Sequence, residues 1–293
     1  MTMTVSPESA ARMACRASGL PDRSLTHLHQ HATAVFLLPG EGMVVRVSPA
    51  SQQQRLETAV SLTRWLVANA FPATEPVSVP QPVAYEPYVV TFWRHYPQPE
   101  GGAPPAGRLG ALLRALHALP PPPPPLSLPQ YQPLASLKDI VESSTYLEPD
   151  QRAWLTERRE ELLDAYGLLD FPLGNGHIHG DAYPGNTLWA QQDVRLGDWD
   201  EAAFGPREID LANTFQGVRF GRSAEELDEF SHQYGYDVRQ WPGLRVLCEI
   251  RDLHTLGSYI RRADRGDGPA AQQLSHRIET LRYRDDQAQW NAA

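Results

Sequence analysis

The chain has 293 residues, 41% of them hydrophobic and 21% charged, which is the balance of a folded protein able to bury a large core. A formal net charge of -9 and no basic stripe argue against a nucleic-acid partner, while the mild acidity permits a cationic ligand without requiring one. Two distant cysteines, Cys15 and Cys248, give neither a disulfide framework nor metal spacing, and no apolar run is long enough to span a membrane.

Residues Met1 to Ser9 lack the apolar core of a signal peptide, so a bacterial-style cytoplasmic enzyme is expected. Ser6-Pro7-Glu8 starts a helix, with Ser6 as cap and proline at the first helical position, and the helix stops at Gly19. Extended segments follow at Leu25–Leu28, Ala34–Leu38 and Met43–Val47, the last two joined by Pro39-Gly40-Glu41-Gly42 as a hairpin. Leu56, Val60, Leu62, Trp65 and Leu66 mark a helix over Gln52–Asn69. Val83–Tyr85 and Tyr88–Trp93 read as two more strands. The first 95 residues are therefore expected to form a sheet-rich lobe with one main helix, and residues 96–293 a second, mostly helical lobe.

The second part opens on a Pro/Gly-rich linker, Pro97–Gly107, and a short helix over Leu109–Leu119. Pro120–Pro125 forbids helix and reads as a stiff connector rather than a ligand for an SH3-type partner. Helices are expected over Leu134–Ser143, Pro149–Tyr166, Ala224–Gln233, Leu244–Arg262 and Ala270–Tyr283. Between them, His177–Asp210 is irregular, with strand-like pieces at Thr187–Trp189 and Val194–Leu196. No internal repeat is visible.

The polar residues concentrate in that irregular stretch: His179-Gly180-Asp181-Ala182-Tyr183-Pro184-Gly185-Asn186, then Gly197-Asp198-Trp199-Asp200. Phosphoryl transfer from a nucleotide needs an acid to orient and take the proton of the attacking hydroxyl, and oxygen ligands for the magnesium that neutralises the phosphates. An Asp, an Asn five residues later and an Asp on the next strand supply that set, in the order and spacing of a kinase catalytic loop. A hairpin between Asn186 and Asp198 would return the second Asp to the side of the Asn. Two histidine patterns suggest metal instead. His27, His29 and His31 alternate as a metal cluster would, but no carboxylate or cysteine accompanies them. His177-x-His179 resembles the metal pair of amidohydrolases, yet lies past mid-chain with few later histidines.

With His179-Gly180-Asp181, Asn186, Asp198-Trp199-Asp200 and Asp210-Leu211-Ala212, the chain resembles the aminoglycoside phosphotransferase and choline kinase-like family, whose fold is protein-kinase-like. Gly180, where protein kinases usually carry Arg, favours the small-molecule branch. The resemblance implies a two-lobe α+β fold, an antiparallel sheet plus helix in the N-lobe and a mainly helical C-lobe, with ATP or GTP and magnesium bound between them. It implies Asp181 as catalytic base, Asn186 and Asp198 as magnesium ligands, and His179, Asp200 and Asp210 as supporting residues. Arg46 stands where the family has a phosphate-holding Lys, with Glu57, eleven residues on, as its partner. The phosphate-covering loop has no glycine at its expected place, which leaves His31 and Thr33 as candidates, and backbone groups around Phe92 and Arg94 are expected to read the base. The acceptor is expected to be a small hydroxylated molecule, an antibiotic or related natural product. A metabolic sugar or amino-alcohol kinase, and a pseudokinase scaffold that binds nucleotide without turning it over, are the alternatives.

Overall fold

The structure, a computed structural model, describes residues 5–22, 24–30, 33–286 and 288–291, the side chains of 29 and 30 excepted. Internal packing divides the chain into two compact units, one of residues 1–104, 118–129 and 184–202, the other of 105–117, 130–183 and 203–293. The polar hairpin after residue 184 thus groups with the sheet, a division that a single boundary after residue 95 does not express.

The first unit is built on helix α1 (Pro7–Ala17), strands β1 (Thr26–Gln30), β2 (Ala34–Leu38), β3 (Met43–Pro49), β4 (Val83–Tyr85) and β5 (Tyr88–Arg94), and helix α2 (Gln53–Ala68). Ser6 caps α1 as its sequence suggests, its Oγ accepting from the Ser9 N–H at 3.1 Å. The five strands form one antiparallel sheet in the order β1-β2-β3-β5-β4. β1 starts at Thr26, one residue past the expected start, and β3 and β5 run further than their apolar runs, to Pro49 and Arg94. Between β2 and β3 the turn closes with Gly42 at φ +60°, a left-handed conformation that glycine adopts without strain. Ala10, Ala11, Ala14 and Cys15 of α1 share a buried cluster with Phe36, Val45, Val47, Val90 and Phe92. Because side chains alternate along β3, burying Val45 and Val47 turns Arg46 to the opposite face.

Strands β7 (Thr187–Ala190) and β8 (Asp193–Leu196) belong to the same unit and pair as an antiparallel hairpin, Thr187 opposite Leu196. Two backbone hydrogen bonds, Leu196 N–H to Pro72 O and Thr74 N–H to Leu196 O, both 2.9 Å, stitch it to the segment after α2. Trp93 and Tyr96 are buried.

The second unit holds α3 (Ala106–Ala118, its last residue excepted), α4 (Leu137–Ser143), α5 (Pro149–Gly167), α6 (Glu208–Phe215), α7 (Ala224–Tyr234), α8 (Leu244–Ala263) and α9 (Gly268–Arg282), with a two-stranded sheet of β6 (Asn175–Ile178) and β9 (Ala203–Pro206). α4 starts at Leu137 rather than Leu134, and α3 starts at Ala106, inside the span read as linker. No helix or strand runs through Pro120–Pro125. Neither α6 nor the β6/β9 pair was expected. α6 is only eight residues long, and its polar Glu208, Asp210, Asn213 and Thr214 are buried along with its apolar residues, so nothing in its sequence marks a solvent face. β6 and β9 are four residues each and carry Gly176, Gly205 and Pro206, which weaken any strand signal.

The core of this unit contains a buried charge. Asp252 of α8 accepts from Gln216 Nε2 at 2.7 Å and pairs with Arg219 at 3.3 Å, yet burial pushes its carboxyl up to about 6. A folded pKa above the unfolded value means that the folded state holds this proton more tightly, so Asp252 contributes most at low pH, and its contribution falls as pH rises through about 6. The stability of the wild type relative to Asp252→Asn is expected to drop by about 2 kcal/mol between pH 4 and pH 7. Denaturant titrations of both proteins across that range check this, and a carboxyl NMR midpoint near 4 would contradict it.

Candidate active-site residues

In the second unit the His179-Gly180-Asp181 segment follows β6 directly and is held by one carboxylate. Asp210, in the first turn of α6, is wholly buried. Its Oδ2 accepts from the His179 N–H at 2.8 Å and its Oδ1 from the Gly180 N–H at 2.8 Å. His117 Nε2 lies 3.0 Å from Oδ2, while His117 Nδ1 meets Tyr234 Oη at 2.9 Å. Since the carboxylate can only accept, Nε2 carries the proton and Nδ1 accepts from the tyrosine hydroxyl. Burial disfavours the Asp210 charge, but the His117 hydrogen bond, the electrostatics of the His117 and His179 rings and the backbone donors outweigh it and hold its carboxyl below the ordinary range.

Gly180 sits at φ +81°, the left-handed region, which explains glycine at this place. Asn213 Nδ2 donates to its carbonyl at 3.0 Å. The Asp181 N–H donates to His179 Nδ1 at 3.3 Å, so the wholly buried His179 ring supports the aspartate that follows it. Asp181 itself keeps a partly exposed carboxylate, and Arg251 Nη2 of α8 donates to its Oδ1.

Removing the Asp210 carboxylate strands the His179 and Gly180 N–H groups and the His117 Nε2–H in a dry site. Asp210→Ala is expected to cost about 3–5 kcal/mol of stability, read by denaturant unfolding. A loss below about 1 kcal/mol, the size of an ordinary exposed ion pair, would contradict the bracing role.

The first unit carries the other residues. The Gly197 N–H donates to Asn186 O at 2.8 Å, so the β7/β8 hairpin returns the chain to Asn186 just before Asp198. Asp198 adopts φ +61°, ψ 62°, a left-handed conformation that Asp tolerates better than most side chains. Trp199 fixes it there: its ring is buried, Nε1 donates to Leu196 O at 2.9 Å, and it meets Phe71 edge-on at 5.8 Å. Arg46 Nη2 donates to Asp198 Oδ1 and to Asp200 Oδ2, both at 3.0 Å. Burial opposes the guanidinium charge, and the two carboxylates more than offset it, so its pKa is raised. Asp200 is pushed up by burial and by Asp198, against the pull of Arg46. Its Oδ1 is buried and takes no hydrogen bond among the described residues.

Two expectations need correction and one cannot be followed. Glu57 does not pair with Arg46: its Oε1 accepts from Gln53 Nε2 at 2.9 Å, one turn back on α2, while Arg46 is taken by the carboxylates after β8. Phe92 and Arg94 do not present free backbone donors. The Phe92 N–H is spent on Gln81 Oε1 at 2.7 Å and the Arg94 N–H on Glu75 O at 2.9 Å, and β5 runs through both. A backbone N–H makes one good hydrogen bond, so the connector begins after Arg94. His31 lies outside the described residues, and Thr33 Oγ1 is 3.3 Å from Ser48 Oγ.

Sequence reasoning also missed Arg251 and His117. Neither sits in a motif: Arg251 is 70 residues from Asp181, and His117 is 93 from Asp210. Among the described residues no three His, Cys, Asp or Glu side chains group as a metal site of that kind, and no helix is long and apolar enough to cross a membrane. What the first unit does offer a cation is hard oxygen. The Asp198 and Asp200 carboxylates outweigh Arg46 by one negative charge, and the backbone of Asn186 is tied to Gly197 just before them; carboxylate and amide oxygens are donors of the kind that suit magnesium or calcium.

A profile described as the APH phosphotransferase enzyme family matches residues 27–247. No curated protein matches the chain. Among solved structures, amicoumacin kinase in complex with AMP-PNP, calcium and its ligand superposes with a TM-score of 0.74 at 15% identity, covering 99% of this chain and 98% of that one. A choline/ethanolamine kinase family protein from Mesorhizobium loti gives 0.63 at 17% identity, over 94% and 95% of the two chains. An aminoglycoside phosphotransferase from Streptomyces rimosus, in complex with ADP and streptomycin, gives 0.61 at 17%, over 84% and 98%. These likenesses establish the two-lobe α+β, protein-kinase-like fold that the motifs implied.

Proposed function

The chain belongs to the APH phosphotransferase enzyme family, and from that premise we propose that it moves the γ-phosphate of ATP or GTP to a hydroxyl of a small molecule, using Asp181 as base. The observation that carries this reading is the Asp210 clamp. Two backbone N–H donors fix the residues just before Asp181, and the His179 ring accepts from the Asp181 N–H itself, which presents that carboxylate in a set place.

Asp181 orients the acceptor hydroxyl and takes its proton as the oxygen attacks the γ-phosphorus. The bond to the bridging oxygen breaks, and nucleoside diphosphate leaves. Asn186 and Asp198 hold magnesium, which when bound neutralises phosphate charge. The calcium and AMP-PNP of the amicoumacin kinase complex support a divalent cation and a nucleoside triphosphate as partners. Arg46 steadies the phosphates, where its planar fork can bind two oxygens at once. The base is read from the connector after Arg94.

For the acceptor we favour an antibiotic or related natural product. Amicoumacin and streptomycin are the ligands named for two of the similar structures, and phosphorylation of such a hydroxyl would inactivate the drug. A metabolic amino-alcohol or sugar kinase is the second reading, supported by the likeness to the choline/ethanolamine kinase family protein. A pseudokinase scaffold fits less well, because Asp181, Asn186 and Asp198 are all present. Acceptor-dependent release of nucleoside diphosphate, measured over hydroxylated antibiotics, sugars and amino alcohols, decides among them. Turnover of an antibiotic supports the preferred reading, and turnover only of sugars or amino alcohols sinks it.

A further inference from the structure

We infer that Asp200 is the residue that holds Arg46 in place for the nucleotide phosphates, the task expected of a helix glutamate. This rests on the phosphate-binding role proposed for Arg46. A phosphate-holding cation on a strand needs an anion that stays with it whether or not nucleotide is bound. Glu57 is not that anion, since it is engaged by Gln53 on its own helix. Arg46 instead divides one nitrogen between Asp198 Oδ1 and Asp200 Oδ2, each at 3.0 Å.

The two carboxylates are not equivalent. The Asp198 side chain is 45% exposed, the more accessible of the two, whereas that of Asp200 is 17% exposed, close to the 18% of Arg46. Asp200 also has an unused acceptor, its buried Oδ1. A guanidinium has five N–H donors in a planar fork, so it can engage both oxygens of one carboxylate. When a divalent cation takes Asp198, Arg46 loses one partner and keeps the other. Oδ1 is then the acceptor to which a second N–H turns, which leaves the rest of the fork for phosphate. The bridge is thus a shared pair in which Asp198 is released and Asp200 is retained. Asp200 is a positioning residue here, acting through Arg46.

The sign of one substitution separates this from the simple alternative. If Asp200 were only a nearby negative charge, neutralising it would strengthen binding of a polyanionic nucleotide. If Asp200 anchors Arg46, neutralising it weakens binding, by roughly 10-fold or more. The experiment is calorimetric titration of AMP-PNP with magnesium into the full chain as wild type, Asp200→Asn, Glu57→Gln, Arg46→Ala and the Arg46→Ala/Asp200→Asn double variant, each checked for folding by circular dichroism. The expected result is a loss for Asp200→Asn, less than about 2-fold for Glu57→Gln, and no further loss from Asp200→Asn once Arg46 is gone. Equal losses from Asp200→Asn in both backgrounds, tighter binding on neutralisation, or a Glu57→Gln loss as large as that of Asp200→Asn would each overturn the inference. If Asp200→Asn does not fold, the neutral variant Asp200→Ser replaces it in the same cycle. Binding by the wild type that Arg46→Ala leaves unchanged would instead refute the phosphate role of Arg46, and absence of binding by the wild type would refute the kinase reading beneath it.

Discussion

Asp181→Ala is expected to lower acceptor-dependent turnover by a factor on the order of 10²–10⁴, the worth of a positioned general base, while leaving nucleotide affinity within a few-fold. The split follows from where Asp181 sits. Its partners within the second unit include His179, through the backbone, and Arg251, through the carboxylate, and neither is proposed to hold nucleotide. Asp181→Asn keeps the shape and removes the proton-accepting charge, so it should be impaired nearly as much. Steady-state kinetics with calorimetric nucleotide binding checks both. Loss of affinity in step with turnover would move Asp181 from proton transfer to nucleotide binding.

Asp198→Ala is expected to be damaged differently. It removes the more exposed of the two carboxylates at Arg46, the one proposed to hold the cation, and leaves Arg46 paired with Asp200. Turnover should fall by on the order of 10³-fold, and magnesium should lose its effect on nucleotide affinity. The unusual backbone adds a separate expectation. Because residue 198 is at φ +61°, Asp198→Gly relieves any conformational cost and Asp198→Val raises it, so the glycine variant should be the more stable of the two and equally inactive. Thermal unfolding beside magnesium-dependent nucleotide binding reads both effects. If affinity for AMP-PNP still responded to magnesium in Asp198→Ala, the cation would be held elsewhere.

The sheet lobe was largely legible because its elements announce themselves locally. Ser6-Pro7 caps a helix, Pro39 to Gly42 turns the chain, and β-branched runs flank it. The long helices were legible from their length and start signals, as where Glu148-Pro149 opens α5 with a capping box. α6 was illegible because it is only eight residues long and buries its polar residues together with its apolar ones. Among the site residues, His179 to Asn186 and Asp198 stood out because the chemistry needs acid and amide oxygens at close spacing. Arg251, His117 and the Arg46–Asp200 pair did not, because they are assembled across 70, 93 and 154 residues of chain. Glu57 shows the cost of carrying a partner over by spacing. It lies at the expected offset from Arg46, yet a glutamine one turn away meets it first.

The most direct test of the account follows the phosphate itself. ATP and GTP labelled at the γ-position would be incubated with magnesium, the protein and a panel of hydroxylated antibiotics, sugars and amino alcohols, beside Asp181→Ala. The account predicts label in at least one organic acceptor with the wild type and transfer slower by on the order of 10²-fold or more with the variant. Label transferred equally by both proteins, or nucleotide that does not bind at all, would contradict it.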